Sequence, residues 1–93
     1  MKKGSEDFFK NLGLTGTIVI LEILGEHKTA RYMQFAEFVN APLLNLRLQW
    51  LLQSGLIEHH LERKDTKREW YTLTERGQNV LNQLHEIQKI LDK

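Results

Sequence analysis

Ninety-three residues with 41% hydrophobic and 27% charged side chains leave room for one domain with a modest core, and argue against a disordered, collagen-like or membrane-spanning chain. Thirteen Lys and Arg against twelve Asp and Glu give a formal charge of only +1, too little by itself to announce a nucleic-acid partner, although residues 28–76 hold eight of those cations against six acids. There is no cysteine, which removes disulfides and thiolate metal ligands; with no apolar run behind the amino-terminal lysines to act as a secretory signal, the expected location is the cytoplasm.

In chain order, Ser5 to Asn11 has a hydroxyl cap, two acids in its first turn and paired aromatics, and reads as a short helix stopped by Gly13. Thr15 to Gly25 is rich in β-branched residues. Its length, its Leu21 and Leu24 spacing and its terminal glycine predict a buried helix. Tyr32, Phe35, Phe38 and Val39 recur at helical spacing as far as Asn40-Ala-Pro42, where Asn suits an N-cap and Pro a first turn. The next helix is expected from about Ala41 to Ser54, with Leu44, Leu48 and Leu51 on one face and Gly55 as its cap. Residues 56–63 and 67–73 flank the polar turn Lys64-Asp-Thr-Lys67 and predict a β-hairpin. Thr74 opens a last helix in which Val80, Leu84, Ile87 and Leu91 repeat as a seam of about two heptads.

Helices, a charged hairpin and a closing helix are the element order of a winged helix-turn-helix, a mainly α fold with a small β-hairpin. Leu48-Gln-Trp-Leu-Leu-Gln-Ser-Gly-Leu-Ile57 followed by Glu69-Trp-Tyr-Thr-Leu-Thr-Glu-Arg-Gly77 resembles a run found in the HxlR, PadR and MarR-like winged-helix regulators, and the likeness extends from about Ile18 to Leu84. It differs from the HxlR pattern in having no cysteine ahead of the first helix, no proline-rich wing tip and an apolar recognition helix. The resemblance implies a dimeric bacterial or archaeal transcription factor. One domain, residues 1–93, is expected, with the helix-turn-helix and wing over 14–74 and a dimerisation helix over 75–93.

On this reading the helix from Ala41 enters the major groove of double-stranded DNA. If Leu44, Leu48 and Leu51 face the core, 100° per residue turns Pro42, Leu46, Gln49 and Gln53 outward, with Asn45 at the edge of that face. Asn and Gln amides can pair bidentately with adenine; the same residues also read as ordinary solvated helix positions. Arg47 is the only charge on this helix. Arg63, Lys64, Lys67 and Arg68 of the wing, with Lys28 and Arg31 ahead of the preceding helix, are the candidate phosphate contacts. Glu62, Asp65 and Glu69 interleave with them, as in any solvated hairpin tip. An alternative is a protein-interaction module that uses an apolar outer face of Leu43, Leu46 and Trp50.

The closing helix carries more apolar surface than one intramolecular contact needs. A homodimer interface is expected from Val80, Leu81, Leu84, Ile87, Ile90 and Leu91, joined by Phe8, Phe9 and Leu12; the alternative is a helix folded back on its own chain. His27, His59, His60 and His85 lack metal-ligand spacing, and no serine or carboxylate pair forms a catalytic motif, so neither metal, cofactor nor enzymatic activity is expected.

Overall fold

The computed structural model describes residues 3–92. The chain forms α1 (Lys3–Leu12), α2 (Thr17–His27), β1 (Thr29–Ala30), α3 (Tyr32–Ala36), α4 (Ala41–Gln53), β2 (Ile57–Arg63), β3 (Lys67–Leu73) and α5 (Glu75–Leu91). The strands make an antiparallel sheet in the order β1-β3-β2. In the hairpin, Ile57 lies opposite Leu73 and Arg63 opposite Lys67. This is the expected winged helix with one addition, the two-residue β1, in which Thr29 and Ala30 pair with Thr72 and Tyr71. Two residues are too few to show periodicity, so the strand leaves no pattern in the sequence.

The core lies where α2, α4 and the sheet meet: Ile20, Leu21, Leu24, Phe35, Leu44, Leu51, Leu56, Ile57 and Leu81 are essentially solvent-free. Each such side chain contributes about 1.5–3 kcal/mol on removal from water. Asn40 caps α4 by accepting the Leu43 N–H at 3.1 Å, with Pro42 in the first turn as its fixed φ allows. Gly55, at φ 76°, makes the left-handed exit from that helix which a side chain would resist. Thr74 caps α5 in turn, accepting the Gly77 N–H at 3.0 Å while its hydroxyl donates to the Gly55 carbonyl at 2.6 Å.

Three local expectations are corrected. The helix expected over Tyr32–Val39 ends at Ala36, and its remainder is a turn that leaves Phe38 68% exposed while burying Val39. Gly25 does not end α2, which runs on to His27; it admits Leu81, whose Cδ2 stands 2.3 Å from where a Cβ at this position would sit. Leu81, expected at a dimer interface, is 1% exposed inside its own chain for the same reason. A still closer approach occurs at Gly77, where a Cβ would fall 1.9 Å from the Leu56 carbonyl oxygen. These two glycines let α5 lie directly on α2 and on the start of the wing.

Beyond that anchored half, α5 reaches away from the body of the domain. Its seventeen residues span roughly 26 Å. The radius of gyration is 14.1 Å, against roughly 12 Å for a compact domain of this length. No single helix among the described residues is long and apolar enough to cross a membrane.

Candidate nucleic-acid interface

The inner face of α4 is fixed by Leu44, Leu48 and Leu51 in the core. That orientation leaves Pro42, Asn45, Leu46, Gln49 and Gln53 in solvent. Two of the polar side chains on this helix already have partners. The Tyr32 hydroxyl donates to Asn45 Oδ1 at 2.8 Å, which leaves the Asn45 amide N–H groups free to donate. The Arg47 Nε–H donates to the Thr15 carbonyl at 2.8 Å and ties α4 to the loop before α2, with only its terminal nitrogens left over. Gln49 and Gln53 are the least encumbered amides of the helix.

The apolar outer face expected for a protein partner does not form. Leu43 and Trp50 are half-buried against the core, and Trp50 packs on Phe8 of α1 with ring centroids 5.7 Å apart. Leu46, 58% exposed, stands without them. A hydrophobic residue on the far side of a helix is not left to solvent when another helix can cover it; α1 does so here.

The hairpin carries its cations out from the body of the domain, with Arg63, Lys64, Lys67 and Arg68 all exposed. Lys64 stands 3.8 Å from Glu62 and Lys67 3.5 Å from Glu69. Pairs this exposed are worth well under about 1 kcal/mol, so a phosphate can compete for either lysine. Arg63 and Arg68 have no carboxylate partner among the described residues.

Pairing of β1 with β3 does what the linear sequence did not reveal: it brings the chain ahead of α3 against the wing. A groove of about 370 Å³ results, lined by Thr29, Arg31, Gln34, Glu62, Arg68 and Trp70. Arg31 and Arg68, thirty-seven positions apart in sequence, thus border one hollow. Gln34 is held there by accepting the Arg31 N–H at 2.9 Å. Trp70 is fixed by stacking on His60, 5.3 Å between centroids and 15° between planes, while the His60 ring is hydrogen-bonded to the Thr72 hydroxyl at 2.7 Å. Thr29, Gln34 and Trp70 are the residues sequence reasoning missed as part of this site; only the tertiary pairing reveals them. Lys28 lies just before β1, exposed and at φ 72°.

On the other face of the sheet Tyr71 packs edge-on against Phe35, 5.8 Å between centroids, and tilts against His59. Burial raises its phenol above the usual tyrosine value, with smaller contributions from the Glu69 carboxylate and Tyr32. Among the described residues no three His, Asp or Glu converge as metal ligands.

A second groove runs between α1 and α5. Phe8, Phe9, Leu12, Val80, Leu84 and Ile87 line a space of about 600 Å³ with a polar rim that includes Glu75 and Arg76. Phe9, Ile87, Ile90 and Leu91 are 56–78% exposed along it and beyond it. Phe8 touches both features of the molecule: it lines this groove and covers Trp50 of α4.

Among solved structures, the chain is similar to the transcriptional regulator YodB from B. subtilis in its reduced form, with 25% identity, 99% of this chain and 92% of that one covered, and a TM-score of 0.84. The diamide-treated form of YodB aligns at the same identity with a TM-score of 0.82. A MarR-family regulator from Porphyromonas gingivalis W83, 21% identical over 99% of this chain and 92% of that one, shares the fold with a TM-score of 0.76. None of the curated proteins compared with the chain matches it significantly. The model of the HxlR-like helix-turn-helix family matches residues 12–93, nearly the whole chain, and the protein belongs to that family of winged helix-turn-helix transcription regulators.

Proposed function

We propose that the protein is a DNA-binding transcription regulator that docks α4 in the major groove as a homodimer and grips the flanking phosphates with its wing. The observation that carries this reading is the convergence of Arg31 and Arg68 on one groove, in a domain whose α4 also exposes Asn45, Gln49 and Gln53. Guanidinium groups suit phosphate oxygens, and cations placed there release counterions and give affinity without sequence information. Gln49 and Gln53, with the free N–H groups of Asn45, supply the base-reading chemistry. Thr29 and Gln34 add neutral donors beside the two arginines.

The second copy is assigned to the α1–α5 groove. Ile87, Ile90 and Leu91 would remain in water in a monomer. Two-fold packing sets the same stripe of each copy against the other and presents two α4 helices on one side of the duplex. YodB was solved in reduced and diamide-treated forms; thiol chemistry is closed to these ninety-three residues, which include no cysteine.

Selection of bound sequences from a random duplex pool tests the whole reading. Enriched sites are expected to be palindromic, with half-sites separated by about one helical turn or a multiple of it. Enrichment of a lone half-site would remove the dimer from the proposal, and no enrichment would remove base reading by α4.

A further inference from the structure

We propose that a third hollow, between the start of α2 and the α3–α4 turn, is a docking site for a short cationic amphipathic segment of a partner protein. Ile18, Val19 and Phe38 are 41%, 39% and 68% exposed, and with the half-buried Ile23 they surround a space of about 190 Å³. Phe38 is presented by a backbone that is itself hydrogen-bonded, its N–H donating to the Phe35 carbonyl at 2.9 Å. An aromatic ring held in water beside two β-branched side chains is surface that gains from being covered.

The charge around the hollow selects what covers it. Glu22 and Glu26, one turn apart on α2, form its rim, Glu37 stands beside Phe38 in the chain, and no lysine or arginine lines the space. Glu22 is hydrogen-bonded to His85 of α5, whereas Glu26 has no cation partner among the described residues. Nucleic-acid phosphates and anionic lipid headgroups are repelled by such a rim. An apolar side chain flanked by lysine or arginine satisfies both the hollow and its carboxylates. None of the six lining residues belongs to the α1–α5 groove or to the candidate nucleic-acid face, so a partner here competes with neither.

The test titrates the full chain with a short synthetic helical peptide of leucine and lysine, and separately with its leucine–glutamate counterpart, following side-chain NMR shifts. The lysine peptide is expected to shift Ile18, Val19, Ile23 and Phe38, and the glutamate peptide to leave them unmoved. Phe38→Ser combined with Glu26→Lys, both at exposed positions, is expected to weaken binding by about tenfold or more with helix content unchanged. The proposal is overturned by the absence of shifts, by shifts centred on Val80, Leu84 and Ile87, by equal binding of the glutamate peptide, or by a double variant that binds as the wild type does.

Discussion

Helices α4 and α5 both carry a leucine stripe, but the chain completes them differently. In α4 the stripe of Leu44, Leu48 and Leu51 is consumed by the core, and even Trp50 on its flank is covered by Phe8. What remains outside is mostly amide, with Leu46 and the edge of Leu52. In α5 only Gly77 and Leu81 are fully taken up, Val80 and Leu84 are half-covered, and Ile87, Ile90 and Leu91 have nothing over them. One helix is therefore complete within a single chain and turns a polar face outward, whereas the other is complete only for its first turns. On the proposed function, the difference separates the surface that meets DNA from the surface that meets a second copy. Phe8 joins them physically, since it lines the α1–α5 groove and packs on Trp50 of α4.

The two helices should respond to substitution in different ways, most severely at the anchored half of α5. Gly77→Ala places a methyl group 1.9 Å from the Leu56 carbonyl oxygen, which no side-chain rotation relieves. A loss of about 3 kcal/mol in denaturant unfolding is expected, with α5 displaced from the sheet. At the free half the outcome is opposite in kind. Ile87→Asp/Ile90→Asp is expected to leave the folded monomer within about 0.5 kcal/mol of its stability, because both positions are exposed. Sedimentation should then show a monomer, and affinity for a palindromic duplex should fall by about a hundredfold as the second half-site is no longer held. On α4, Gln49→Ala touches neither the core nor the α1–α5 groove. It is expected to cost about 1–3 kcal/mol on the preferred duplex and almost nothing on random sequence.

Much of this contrast was legible in the residues. The leucine spacing placed the inward face of α4, Asn40 and Thr74 marked the starts of two helices, and the polar run at Lys64 located the hairpin turn. What escaped was set by contacts distant in sequence. Heptad spacing alone could not distinguish Leu81, which Gly25 receives, from Ile87, which nothing receives. Trp50 looked like free apolar surface because its cover, Phe8, lies some forty residues earlier. Phe38 fitted a helical period, yet that helix ends before reaching it. The groove shared by Arg31 and Arg68 depends on β1, whose two residues carry no recognisable pattern of their own.

The proposed grip of the wing and the start of α3 on a phosphate backbone is read out by titrating the protein into labelled random-sequence duplex at several salt concentrations, beside Lys64→Ala/Lys67→Ala/Arg68→Ala. Binding is expected to fall linearly on a log–log plot against salt, and the variant to bind more weakly with a slope shallower by about three for each copy bound, one for each cation removed from a phosphate. A wild-type slope near zero, or the same slope in both proteins, is incompatible with that grip.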